Sequence, residues 1–112
     1  MNSSVVMTVD LTAVGTDRSV GEWVTVPEWA ELVNVYAGQG GSNWDGAVLT
    51  LEHAGQRMDR ANAFSPAKTF NADGCLLAID VRAIRRLRLR TTTAGAAGDT
   101  ELRAEMAFWG QR

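Results

Sequence analysis

His53 is the only histidine in the sequence and Cys75 the only cysteine. Nucleophilic catalysis through His53 needs a serine in reach, and none of Ser3, Ser4, Ser19, Ser42 and Ser65 stands in a nucleophile-elbow motif. A zinc centre takes about four ligands, typically histidine or cysteine, so one of each falls short. His53 shares the parity of Leu49 and Leu51 and reads as a structural or rim histidine. Cys75, beside Leu76, Leu77 and Ile79, reads as a buried, inert thiol. Being alone, it rules out an intrachain disulfide. The chain is therefore expected not to be an enzyme, with no cofactor and no small-molecule substrate.

Oxygen-bearing residues gather in two loops: Asn43 and Asp45 in the first, Asp59, Asn62, Asn71 and Asp73 in the second. Brought to one end of a β-fold they could hold calcium, but they are also the ordinary turn formers, and EF-hand spacing is absent. The glycine loop at 38–46 has neither a dinucleotide fingerprint followed by a helix nor a P-loop lysine, so it is no phosphate cradle. Trp44 sits in that loop, either folded back as a lid or presented to a partner.

Arginine is the remaining chemistry. Ten of the eleven basic residues are arginines, and five of those ten fall between Arg82 and Arg90. Guanidinium groups suit bidentate and planar contacts, whereas lysine mainly solvates, so the bias marks a contact surface. Arg86, Arg88 and Arg90 alternate with Leu87 and Leu89, which aims the three arginines at one face of a strand. Such a ribbon can lie in a DNA groove. The formal net charge is −2, however, so nothing draws a polyanion or an anionic membrane to the molecule as a whole. The partner expected is protein, with no direct nucleic acid and no membrane.

The elements that would carry these residues are strands. Residues 83–110 look like a terminal β-hairpin: after the Leu/Arg arm and the small, Gly-rich segment AGAAGD, Leu102, Ala104, Met106 and Phe108 alternate with Glu101, Arg103 and Glu105. Pairing Leu89 with Leu102 sets Arg90 opposite Glu101 and Arg86 opposite Glu105; a slip of two sets Arg88 opposite Glu105. Either register partly neutralises the stripe. Upstream, residues 4–12 and 23–26 read as strands, the second closed by Pro27. PEWAEL is either one helical turn or an irregular corner whose Trp29 plugs the core. Residues 32–54 form a second hairpin with an elaborated tip. Residues 55–74 have no period and are contact-making, with Phe64, Pro66 and Phe70 spaced to pin them onto a sheet. A strand resumes at 75–79, and Asp80 caps a short turn.

With 46% hydrophobic and 21% charged residues, 112 positions suffice for one domain with its own core. Residues 1–10 lack the features of a secretory leader, and no apolar run approaches the ~20 residues of a spanning helix. Folding in a cytoplasm is expected. The fold class is all-β: an antiparallel β-sandwich or jelly-roll-like barrel of about seven to eight short strands over residues 1–112, with a short arm at 1–4.

A polar arm, PEWAELVNVYA, the tip Asn43-Trp44-Asp45-Gly46, a long loop, LLAIDVRAIRRLRLRTTT and a closing strand together resemble small β-sandwich virion proteins of tailed bacteriophages. The likeness is one of pattern over residues 23–109. It implies a capsid decoration or cement protein that seats on the major capsid protein lattice, as symmetric oligomers of which a trimer is one form. Such a protein is made in the host cytoplasm and ends on the outer capsid surface. Arg86, Arg88, Arg90, Trp44, Arg57, Arg60 and Phe64 are then the interface candidates. The alternative is a carbohydrate- or receptor-binding module of a tail or adhesion assembly, with Trp44 stacking on sugar rings.

Overall fold

The computed structural model describes residues 4–14, 23–38, 44, 46–58, 60–93 and 101–111, with the backbone alone at 4–14, 101, 102 and 111. In chain order the strands are β1 (Ser4–Val14), β2 (Val24–Thr25), β3 (Ala30–Ala37), β4 (Val48–Ala54), β5 (Asn62–Ala63), β6 (Thr69–Phe70), β7 (Gly74–Asp80), β8 (Arg86–Thr93) and β9 (Glu101–Gln111). One sheet runs β1-β9-β3-β7; the other runs β2-β8-β4-β5, with β6 also on β4. All pairings are antiparallel. The expected sandwich is the fold, and no helix among the described residues is long and apolar enough to cross a membrane.

Alternation along each strand builds the core. Val33, Val35, Met106 and Phe108 from the first sheet meet Leu49, Leu51, Leu87 and Leu89 from the second, and all eight are buried. Burying each such side chain contributes roughly 1.5–3 kcal/mol relative to exposure. Thr91, also fully buried, continues the inner row of β8.

The strands fall where the alternation puts them, but the two hairpins do not form. β8 and β9 lie in different sheets, as do β3 and β4. Leu89 pairs with Leu51 of β4, and β9 lies between β1 and β3. Period two assigns a face to each residue, not a partner to each strand. In the first sheet β9 has a ladder neighbour on each side.

The unpatterned 55–74 segment does attach along the free side of β4. Leu49 and Thr50 pair with Phe70 and Thr69, Glu52 and His53 with Ala63 and Asn62, and Leu51 N–H donates to the Lys68 carbonyl at 2.9 Å. Phe70 is buried, and the Ser65–Pro66 peptide is cis. PEWAEL is a single tight turn, closed by Ala30 N–H to the Pro27 carbonyl at 3.0 Å, with Trp29 packed against the core. Of the expected arm, Ser4 already belongs to β1 and residues 1–3 lie outside the described residues.

Two irregularities shape the first sheet. Between β3 and β9 the register shifts from Ala30↔Gly110 to Leu32↔Trp109. Gly110 must be glycine there, since a Cβ would collide with the Trp29 carbonyl oxygen. Between β3 and β7, Leu77 and Ala78 together oppose Asn34, a β-bulge. Ala78 has φ 55°, and its N–H donates to Asn34 Oδ1 at 2.8 Å.

Candidate protein-contact surface

β8 sends Leu87 and Leu89 inward, which leaves Arg86, Arg88 and Arg90 on the outer face of the second sheet. The partners in register are Ala54, Glu52 and Thr50 of β4, not the carboxylates of β9. The expected pairings with Glu101 and Glu105 are therefore corrected: those residues belong to the other sheet.

The three arginines have different tasks. Arg88 donates from Nε to Glu52 Oε1 at 2.9 Å, with both side chains nearly covered at 14% and 11% exposure. Its guanidinium also lies 4.3 Å from the Trp23 ring centroid. Trp23 immediately precedes β2, whose Val24 and Thr25 pair with Leu87 and Arg86, so the ladder brings this ring over Arg88. A covered, hydrogen-bonded ion pair under an aromatic ring holds the sheet together; it is not a free recognition group. Arg86 donates from Nε to the Gly55 carbonyl at 2.8 Å and from Nη2 to the Met58 carbonyl, and lies 5.2 Å from the same Trp23 ring. It fixes the loop after β4. Arg90 is 44% exposed and reaches Glu52 Oε2 only at 3.9 Å. Of the three, Arg90 presents its charge outward.

The loop that Arg86 pins carries Arg57 and Met58, with Arg60 just beyond; all are exposed, Met58 at 66%. Asn62 Nδ2 holds the next turn by donating to the Arg60 and His53 carbonyls. Phe64 is half-buried rather than presented. His53 meets its ring edge-on at 4.9 Å, and Lys68 Nζ lies 5.8 Å from its centroid. Arg57, Met58 and Arg60 are thus exposed on and just beyond the loop that Arg86 holds, whereas Arg90 stands four positions along β8, opposite Thr50, and Phe64 packs against His53.

Trp44 is not at the surface. It is buried in the core cluster, and its indole N–H donates to Asp73 Oδ1 at 2.6 Å. The reading of Trp44 as an interface residue or sugar platform is corrected: a large apolar ring gains more by filling the space between sheets, provided its N–H finds an acceptor. Gly38, at φ 83°, gives Asp73 that place, because a Cβ there would overlap the carboxylate. Cys75 is corrected in the opposite direction. It lies on the outer side of edge strand β7 opposite Tyr36 and is exposed, as is Leu77 at 61%.

The oxygen-bearing residues that could have held calcium are not brought together as a group among the described residues. Asp73 is bonded to Trp44, Asn62 to two carbonyls, and no group of three metal-ligating side chains occurs there. Asn43, Asp45 and Asp59 lie outside the described residues. Asp80 does what was expected of it: Oδ1 accepts the Arg82 N–H at 3.0 Å over the turn closed by Ile84 N–H to the Val81 carbonyl. The Arg82 guanidinium also binds this carboxylate, at 2.7 Å to Oδ2. These side-chain bonds first, then the backbone bond, lower the Asp80 pKa to about 2.

No protein-family model matches the sequence, and no curated protein matches it. Solved structures do share the fold. The crystal structure of the SPBc2 prophage-derived protein YomS superimposes with a TM-score of 0.71 at 9% identity, over 98% of this chain and 97% of that one. A chain from the disulfide-linked pili of Bacillus endospore appendages aligns with a TM-score of 0.46 at 10% identity, over 96% of this chain and 89% of that one.

At such identities the likeness is one of fold, and the contact residues rest on this chain's own geometry. Sequence reasoning missed Trp23 and Met58. Trp23 carried a signal, a tryptophan one residue before a strand beside an Arg-rich strand, but stacking needs the β2–β8 pairing to be known. Met58 lay in an unpatterned segment, where nothing distinguished an exposed methionine from a packed one.

Proposed function

We propose that this chain is a structural protein of a phage particle, a capsid decoration or cement protein rather than an enzyme. In this reading it binds the major capsid protein lattice on the outer surface of the head, together with copies of itself. The observation that carries the reading is the superposition on a prophage-derived protein from end to end of both chains. The exposed Arg57, Met58 and Arg60 on and beside the loop that Arg86 holds support it. Arginine and methionine are enriched in protein interfaces, and Arg86 holds the loop in advance, so less order is lost on docking. The alternative, a carbohydrate- or receptor-binding module, loses its platform with Trp44 in the core.

The test is to purify particles assembled with a tagged copy and image them. Density of about 12.1 kDa per site, repeated on the head lattice, is the expected result. Density at the tail alone, or none on the particle, would refute the capsid role. Replacing the exposed Arg57, Arg60 and Arg90 together by alanine is expected to lower occupancy, and unchanged occupancy would rule these arginines out as the contact.

A further inference from the structure

Among the described residues the two sheets have four edges, and three of them carry a device that blocks pairing with another chain. β2 is two residues long and is followed within two positions by Pro27. The flank of β4 is covered by β5 and β6, two residues each, with Pro66 between them. β7 is broken by the Leu77–Ala78 bulge, where Ala78 has φ 55°, and ends at Asp80 with its Arg82 ion pair. β1 has none of these devices. It runs for 11 residues, Ser4–Val14, without proline or glycine, and its register with β9 goes unbroken from Ser4↔Gln111 to Val14↔Glu101. No described strand pairs with its other side. In an antiparallel ladder alternate residues turn their N–H and C=O away from the partner strand, so β1 presents a row of donors and acceptors along its whole length.

We infer that two copies of this chain join edge to edge through β1, antiparallel, about a two-fold axis at Val9. A second copy is the occupant because β1 is its own complement on this axis. The axis pairs Ser4 with Val14, Val5 with Ala13 and Val9 with Val9, so the strand overlaps its twin over its whole length. Every such pair joins positions of like parity. A residue that turns its backbone groups outward therefore meets one that does the same, and donors face acceptors. Like parity also keeps the faces matched. Met7, Val9 and Leu11 stand opposite the buried Phe108, Met106 and Ala104 in the β1–β9 ladder, hence at inner-face positions, and across the axis they meet Leu11, Val9 and Met7. A slip of one position would lose both matches. The two four-stranded sheets become one continuous sheet, joined by about ten new backbone hydrogen bonds. An isologous contact uses up both β1 edges and the blocked edges halt growth, so the assembly closes at two copies. The inference deepens the proposed association between copies and rests on that part of the reading alone.

Sedimentation velocity and amide hydrogen exchange of the purified chain test it away from any particle, so its failure and the failure of the capsid role are distinguishable. The wild type is expected to sediment as a dimer at high concentration and as a monomer on dilution. In the dimer successive β1 amides from Val5 to Ala13 should all exchange slowly, whereas in the monomer only the alternate ones bonded to β9 should. In this register Thr8 stands opposite Asp10 of the other copy. Thr8→Asp is therefore expected to weaken the dimer about two- to thirtyfold, two symmetry-related like-charge pairs acting together, and Thr8→Lys to tighten it by a similar factor. Opposite signs from one position separate the register from a loss of fold, which far-UV circular dichroism checks. The exchange pattern of the wild type decides alone where a variant does not fold. A wild type that stays monomeric, with every second β1 amide unprotected at all concentrations, overturns the inference. So do folded Thr8 variants that shift the dimer in the same direction or not at all.

Discussion

The indole N–H of Trp44 and the carboxylate of Asp73 meet at 2.6 Å, twenty-nine positions apart in the chain, in space that Gly38 leaves open. Replacing Trp44 by Phe keeps a ring in the core but leaves the carboxylate without its indole donor. The expected loss is about 1–3 kcal/mol in urea denaturation. Gly38→Ala is expected to be worse than Trp44→Phe, since it strains a backbone at φ 83° and displaces the Asp73 carboxylate as well.

The Arg88–Glu52 pair gives a different pattern. Arg88→Met or Glu52→Met alone is expected to destabilise by about 2–3 kcal/mol, because a nearly covered charge is left behind. The double variant Arg88→Met/Glu52→Met is expected to lose much less than the sum. Arg90→Ala is expected to stay within about 0.5 kcal/mol of wild type, its ion pair being long and half-exposed. A double-mutant cycle in denaturant checks all three.

Asp80 sets an acid limit. Its pKa, lowered from 3.8 to about 2 by Arg82, means that the folded state binds the proton less readily than the unfolded state. The stabilisation is fully present above about pH 4 and is lost as pH falls from there through about 2. The carboxyl carbon of Asp80, followed by NMR, is expected to titrate near 2. In Arg82→Ala it should move back toward 3.8.

Ala78 occupies the β-bulge with φ 55°, a conformation that glycine adopts more readily. Ala78→Gly is expected to stabilise by up to about 1 kcal/mol. Asn34→Ala, which removes the acceptor for the bulge N–H, is expected to destabilise by about 1 kcal/mol. Thermal unfolding monitored by circular dichroism separates the two signs.

Strand positions and faces were legible in the sequence wherever alternation was clean. The inward Leu87 and Leu89 and the outward arginines are where period two puts them, and β4 ends at Ala54, the last residue of the expected second hairpin. Partnership was not legible. The nearest later strand is the natural partner for β8 in one dimension, yet Arg88 found Glu52, thirty-six positions earlier. Single aromatic and sulfur-bearing residues were misplaced for a related reason. Trp44 in a glycine loop and Cys75 in an apolar run have local surroundings that point the wrong way, because a distant acceptor buries one and an edge position exposes the other. The contact surface was half visible: Arg90 by the density of arginine around it, Met58 and the anchoring of its loop only once Arg86 could be seen holding two carbonyls.

The interior place of β9 has a kinetic consequence. β1 and β3 do not pair with each other; both ladder onto β9, which is made after every other described strand. Until then the first sheet has only the β3–β7 pair, and the apolar inner rows of the second sheet lack the cover of Ala104, Met106 and Phe108. A nascent chain stalled before residue 101 therefore exposes unpaired strand edges beside uncovered leucines, the state most open to aggregation and to chaperones. Closure over such sequence distances is slow, so the last strand sets the pace at which the molecule becomes safe in the cell.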